Sequence, residues 1–230
     1  MMYEIFTEAF RLIFTFNPEI WGILGFSVQV SLASTLIAAA IGIPLGIFLG
    51  MKKYKGKTFI INMANTFMGF PPVVMGLLIF LLFSRTGPFG ALGLLHTPTA
   101  VIIAQTCLSA PIITGITISA IANQQAKIKE ATLAMGGTNW NVYENLFSEC
   151  KIPIFGGIIV AFGQAISEVG ASMIVGGNIR YYTRTMTTAI VQQTTMGESE
   201  VALALGIILI TTSFIIMFFL TIIQMKARKN

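Results

Sequence analysis

The sequence predicts an all-α, polytopic integral membrane protein: one domain over residues 1–230, with about five membrane-crossing helices and a further helix at the N-terminus. Three observations predict it. Of the 230 residues, 55% are hydrophobic and only 10% charged, where soluble domains carry about 25% charged. Five apolar stretches reach the roughly 20 residues that a helix needs to cross a bilayer. The basic residues gather in alternate connections, ten on one side of those stretches and four on the other, a bias that sets topology.

The elements follow in order. Residues 1–20 carry Glu4, Glu8 and Arg11 on one helical face and Ile5, Phe6, Ala9, Leu12 and Ile13 on the other. That pattern predicts an amphipathic helix on the outer membrane surface or wrapped around the bundle. It lacks the basic start and small-residue cleavage site of a secretion signal. The spans are expected over Ile23–Gly50, Thr58–Phe83, Pro98–Ile121, Ile152–Val175 and Val201–Met225. The fourth is the least apolar, since it contains Gln164, Ser167 and Glu168. No internal repeat or low-complexity tract is visible.

Lys52, Lys53, Lys55, Lys57, Lys127, Lys129, Lys151, Lys226, Arg228 and Lys229 fall on one side; Arg11, Arg85, Arg180 and Arg184 fall on the other. Lys and Arg favour the cytoplasm. The N-terminus is therefore expected outside, the C-terminus inside, and the long connection over 122–151 in the cytoplasm. The net charge of +5 is dispersed among the spans and forms no nucleic-acid-binding face. Proline and glycine punctuate the spans at Gly42, Pro44 and Gly46, at Gly69-Phe70-Pro71-Pro72 and at Pro111. Proline removes a backbone donor, and such breaks persist in lipid only where protein or a cavity satisfies the freed groups. Gly69 and Pro71 are therefore either packing kinks or part of a path through the membrane.

The connection over 122–151 is polar and helix-prone, with Gly136-Gly137 at its middle. Ile128, Ala131 and Met135 share one face before the glycines. Thr138 or Asn139 can cap a second helix that presents Val142, Tyr143, Leu146 and Phe147. Two short amphipathic helices at a glycine corner would form a knob suited to a partner's groove, or would fold back onto their own bundle.

Glu130-Ala131-Thr132, followed by Gly136, resembles the EAA motif of binding-protein-dependent ABC importers, whose pattern is E-A-A, three residues, then Gly. Thr132 replaces the second alanine. The Leu-Pro that the family usually carries about a dozen residues after the glycine is absent; Ser148-Glu149 stand there, and proline arrives at Pro153. A-I-S-E-V-G-A-S-M-I-V-G-G-N-I, from Ala165 to Ile179, and Thr183 to Ile190 are similar to the oxyanion subgroup, most of all to tungstate-importer permeases, with molybdate and sulfate permeases next.

The resemblance implies a type I ABC importer transmembrane domain in a prokaryotic cytoplasmic membrane. It implies a second copy of the chain, two ATP-binding cassette subunits, an external substrate-binding protein, and tungstate or a similar oxyanion as cargo. Glu130, Ala131, Leu133, Met135, Gly136 and Gly137 would contact the ATPase. ATP with Mg²⁺ would sit in that partner; no cofactor is expected in this chain.

Several residues are candidates for handling a dianion, which needs donors and no strong negative field. The third and fourth spans supply Thr106, Ser109, Thr114, Thr117, Gln164, Ser167 and Ser172. Such groups line a polar path or bond between helices; with Gly69 and Pro71, the path candidates are Ser109, Thr114 and Ser167. Glu168 would repel a dianion if charged and unpaired, so a structural role is expected, with gating as the alternative. In the outer loop Gly176–Arg184, Asn178, Arg180 and Arg184 suit an anion or the acidic rim of a delivering protein; an ordinary solvated loop is the alternative.

Other chemistries find no residues. There is no glycine-rich loop followed by Lys and Ser or Thr to cradle a nucleotide phosphate. His96 is the sole histidine, and Cys107 and Cys150 form no metal spacing. No catalytic or metal site is expected. A secondary transporter working without ATP would call for paired intramembrane charges and an inverted repeat; one intramembrane carboxylate and no repeat are seen.

Overall fold

The computed structural model describes residues 6, 7, 10, 11, 14, 15, 17–51 and 55–229, except the side chains of 227–229. Helix α1 spans Pro18–Met51, α2 Lys57–Met68, α3 Pro72–Phe83, α4 Pro98–Ala134, α5 Asn139–Ser167, α6 Gly170–Gly176, α7 Met186–Met196 and α8 Ser199–Lys229, with a 3-10 turn at Gly90–Leu92. There is no strand among the described residues. Half of the helix expected over 1–20 lies outside the described residues; of the rest, Phe6, Thr7, Phe10, Arg11 and Phe14 are helical. Pro18, Glu19 and Ile20 belong instead to α1, whose first turn is set by Pro18 and by the Asn17 side chain accepting the Glu19 N–H at 2.9 Å.

Four helices, α1, α4, α5 and α8, are each long and apolar enough to cross a membrane. The second expected span is two helices. α2 and α3 meet at a 97° bend, because Pro71 and Pro72 bring no N–H to a helix coming from Met68. The fourth expected span is also divided. α5 stops at Ser167 and α6 begins at Gly170, so Glu168 lies at a break rather than inside a helix. α7 was not expected at all.

The connection over 122–151 is not a pair of short helices. α4 has 37 residues, about 55 Å at the usual rise, well beyond the ~30 Å apolar layer of a bilayer. It runs through Ile121 without interruption to Ala134, and α5 starts back at Asn139. Only Met135–Thr138 turn the chain.

α4 is the central post. Against it lies α1, and the two backbones approach closely along Gly42, Gly46 and Gly50, one residue per turn. A Cβ on Gly46 would lie 2.5 Å from Thr117 Cβ, and one on Gly50 2.9 Å from Ile121 Cβ. Small residues at four-residue spacing are the usual way for apolar helices to pack tightly. Around the other face of α4, Ile79 of α3, Val30 of α1 and Ala171 and Val175 of α6 close a core with Ala100, Val101, Ala104 and Leu108. α7 is pinned to α1 where the Met186 N–H donates to Ser27 Oγ at 2.7 Å, and α8 packs there through Leu205 and Ile208. Further along α8, Phe214, Phe218 and Phe219 stay exposed.

Gly46→Val should lower stability by about 1–3 kcal/mol through overpacking. Gly25→Ala, where a Cβ meets nothing within 4 Å, should stay within about 0.5 kcal/mol. Thermal melting of the two purified variants in detergent checks the pair.

Candidate functional site: a glycine corner, two broken helices and an arginine clasp

The corner is built by termination chemistry. The Gly136 N–H donates to Leu133 O at 3.0 Å and the Gly137 N–H to Thr132 O at 2.9 Å. This paired ending, with Gly136 at φ +78°, satisfies the carbonyls left at the end of α4. A Cβ on Gly137 would sit 2.7 Å from Thr132 Cγ2, so both glycines are needed. Thr138 then starts α5 with a capping box closed by Asn141, the Thr138 N–H donating to Asn141 Oδ1 at 2.8 Å. Thr132, at the position of the second alanine of the EAA pattern, is buried and accepts from Asn145 Nδ2 at 3.0 Å, which ties the two arms together.

The corner has one anchored face and one free face. Val142, Leu146, Cys150 and Ile154 of α5 are buried with Ile121 against Ile43, Ile47 and Met51. The expectation that Val142, Tyr143, Leu146 and Phe147 share one presented face is corrected: the i, i+4 pair Val142 and Leu146 turns inward, while Tyr143 and Phe147 are exposed. Leu133, Met135 and Trp140 join them, Met135 at 79% exposure and Trp140 at 70%. Glu130, Ala131 and Gly136 are exposed beside them.

The two breaks lie side by side. Gly170 and Gly76 let α3 and α6 touch: their added Cβ atoms would lie 2.6 Å from Val73 Cγ2 and 2.6 Å from Ala171 Cα. Glu168 holds the α5–α6 break. Its carboxylate accepts from the Ala171 N–H at 2.7 Å, the Ser172 N–H at 2.9 Å and Ser172 Oγ at 2.6 Å. Its carbonyl accepts from Thr187 Oγ1 of α7 at 2.7 Å. Gln105 of α4 adds a second tie, donating to Ala165 O at 3.1 Å and accepting from Ser34 Oγ of α1 at 3.0 Å. Five helices, α1, α4, α5, α6 and α7, thus converge on one buried polar chain.

The path candidates are distributed. Ser109 is buried and donates to Ala161 O at 3.4 Å, between α4 and α5. Thr114 donates to Ala110 O at 2.7 Å within α4 and faces Gly42. Ser167 is exposed and donates to Gly163 O at 2.7 Å. Gly69 and Pro71 are exposed at the bend. These residues do not converge on one cavity of the single chain.

At the opposite end from the corner, the loop after α6 is folded, not merely solvated. Thr183 is buried, donates to Gly176 O at 2.6 Å and accepts the Ile179 N–H at 3.0 Å. Asn178 Nδ2 donates to Gln192 Oε1 at 2.8 Å. Arg180 grips Glu19 at the start of α1 in fork geometry, with Nε to Oε1 at 2.7 Å and Nη2 to Oε2 at 2.5 Å, and it lies over the Tyr181 ring at 4.9 Å. Hydrogen bonding to Glu19, then its charge, pushes the Arg180 guanidinium above its ordinary range. Arg184 is buried, with Nη1 3.8 Å from Glu19 Oε1.

Glu19 and Gln105 are the residues that sequence reasoning missed. Glu19 stands 161 positions from Arg180, and no local pattern joins them. Gln105 carried a signal, a long polar side chain well inside an apolar span. Among the described residues no group of His, Cys, Asp and Glu is placed to hold a metal.

A bundle of apolar helices with two broken spans, a rigid exposed corner at one end and a tied loop at the other defines a membrane-embedded transport subunit. The family pattern of binding-protein-dependent transport system inner membrane components matches residues 42–229, and the chain belongs to that family. It is 40% identical to a tungstate uptake system permease protein of Peptoclostridium acidaminophilum, over 93% of each chain. It is 33% identical to a protein of the same description from Campylobacter jejuni, over 94% of this chain and 91% of the other. In fold it is similar to a chain of the MetNI methionine ABC transporter in an inward-facing conformation, with a TM-score of 0.75 at 18% identity over 92% of this chain and 98% of that one.

Glu168→Gln turns one acceptor oxygen into an NH₂ group facing N–H donors, and should cost about 1–3 kcal/mol. The thermal midpoint of the purified protein checks it. An unchanged midpoint together with unchanged transport would leave Glu168 with neither a structural nor a gating role.

Proposed function

We propose that this chain is the membrane-spanning permease of an ATP-driven importer for tungstate or a related oxyanion, molybdate or sulfate being the alternatives. The observation that carries the coupling part is the corner. An exposed set of Leu133, Met135, Trp140, Tyr143 and Phe147 stands on two helices locked to each other and to the bundle. Monomeric soluble surfaces rarely keep such a contiguous apolar patch free, and a patch of this kind marks an interaction site. The cargo assignment draws on the tungstate uptake permeases to which the chain is similar.

In this reading the corner faces the cytoplasm and seats in an ATPase subunit, with Glu130, Ala131, Leu133, Met135, Gly136 and Gly137 at the contact. Lys57, Lys127, Lys129, Lys151 and Lys226 belong to segments at the corner end, which supports that orientation. The N-terminus is outside and the C-terminus cytoplasmic. Two copies pair around the path, their contact drawing on apolar surface such as that left open on α8. An external binding protein delivers the anion at the loop carrying Asn178, Arg180 and Arg184. ATP with Mg²⁺ is held and hydrolysed in the partner subunit, and this chain contributes no cofactor or catalytic group. Gly69, Pro71, Ser109, Thr114 and Ser167 are the positions where motion of the broken helices would open the path. Glu168 holds the α5–α6 break, a structural role.

Co-expression with the ATPase subunit and purification through a tag on this chain tests the proposal. The wild type should retain the ATPase. Met135→Glu and Trp140→Ala should each weaken its retention about tenfold or more, as truncation of anchor residues does, without lowering the thermal midpoint of the isolated chain. Uptake into proteoliposomes should fall in parallel. Retention unaffected by both changes would refute the corner as the docking contact.

A further inference from the structure

The geometry points to Glu19 as a two-position carboxylate, held by exposed Arg180 at rest and passed to buried Arg184 when a carboxylate from outside takes Arg180. This rests on the functional reading only in naming the source of that carboxylate, an acidic side chain on the external binding protein.

The allocation of partners in the clasp carries the inference. Two guanidiniums share one carboxylate, and the better bonds go to the wrong one. Arg180, with its side chain 57% exposed, holds Glu19 through two short bonds. Arg184, only 9% exposed, has one contact at 3.8 Å, and its Nε finds no hydrogen-bond partner among the described residues. Burial raises the cost of an unsatisfied charge, whereas an exposed arginine is solvated without help. Arg184 therefore gains more from the carboxylate than Arg180 does, and its Nη1 is the donor already nearest to Glu19.

Room for the move is present. A cavity of about 130 Å³ adjoins the clasp, lined by Glu19, Gly22, Ile23, Phe26, Tyr182 and Arg184 among others. Beside Arg180, Tyr181 takes a left-handed φ of +61°, a conformation non-glycine residues seldom adopt, and its hydroxyl also donates to Glu19 Oε2 at 3.4 Å. The resting contact is thus the solvent-exposed, exchangeable one. Its exchange would draw the start of α1 towards Arg184, which immediately precedes the capping residue of α7.

A stability cycle on the full chain in detergent tests the second position. Lysine at 184 keeps the charge and removes the fork, so Arg184→Lys should shift the thermal midpoint more in Arg180→Ala protein than in the wild type. That difference isolates the coupling from any packing cost common to both backgrounds. Equal shifts in both backgrounds would overturn the two-position carboxylate. In the assembled transporter, Arg180→Ala should weaken binding of the purified binding protein about tenfold at low salt; unchanged affinity would overturn the exchange. A wild type that engages no binding protein, with the stability difference still present, would instead strike the functional reading and leave the two positions standing.

Discussion

A helix in lipid cannot be interrupted unless something accepts or donates for every backbone group the interruption frees. This constraint organises the molecule. Two of its apolar segments are broken, and the helices that restart after the breaks, α3 and α6, pack closely on each other. At the α5–α6 break Glu168 supplies both carboxylate oxygens to the new helix start and its carbonyl to α7. At the α2–α3 break the sequence reduces the demand, because proline brings no N–H to be satisfied. Gly76 and Gly170 then let the restarted helices touch backbone to backbone. Remove the Glu168 carboxylate and the Ala171 and Ser172 N–H groups at the start of α6 lose their partners.

The same economy explains the two ends. The corner satisfies the last carbonyls of α4 by glycine geometry and the first amides of α5 by a capping box, so no partner protein is needed to hold its shape. In the proposed reading the corner transmits force, and an element with that task should be stiff before it is gripped. The clasp is different in kind. Its loop backbone is wound and internally bonded, and it reaches the start of α1 through the Glu19 carboxylate, shared by Arg180, Arg184 and the Tyr181 hydroxyl. One end is fixed by many local bonds; at the other, the local bonds of the loop are joined by a long-range ionic contact on Glu19.

How much of this was legible in the sequence follows from the range of each interaction. The spans, the proline break and the capping Thr138 are local patterns, and they were readable. The EAA-like spacing located the corner, although continuous helicity through Ile121 was hidden: a polar surface on a helix that leaves the membrane looks like the start of a loop. The inward turn of Val142 and Leu146 depends on Ile43, Ile47 and Met51, about 90 to 100 residues earlier, and apolar spacing alone could not say which neighbour it would meet. The Glu168 break was masked because Ala165–Val175 reads as apolar helix; a carboxylate accepting from residues three and four positions on is visible only in the fold. The pairing of Glu19 with Arg180 offered no signal, since an acidic residue in a first helical turn has a sufficient local reason to be there.

The distribution of rigid and exchangeable contacts also limits how the parts can move. α5 is continuous from the corner to Glu168, 29 residues or about 43 Å, with Pro153 inside it and no second break. A displacement of the corner is therefore delivered at Glu168 rather than absorbed on the way. There it meets α6, α7 and, through Gln105 and Ser34, both α4 and α1. The tight α1–α4 seam along Gly42, Gly46 and Gly50 keeps those two helices moving together. α3 and α6, the pair that starts at the two breaks, share a core with α1 and α4 through Ile79, Ala171 and Val175. In the proposed reading, an opening driven from the corner reaches that pair at its two breaks, and the clasp between Glu19 and the loop after α6 is the ionic contact at the outer end.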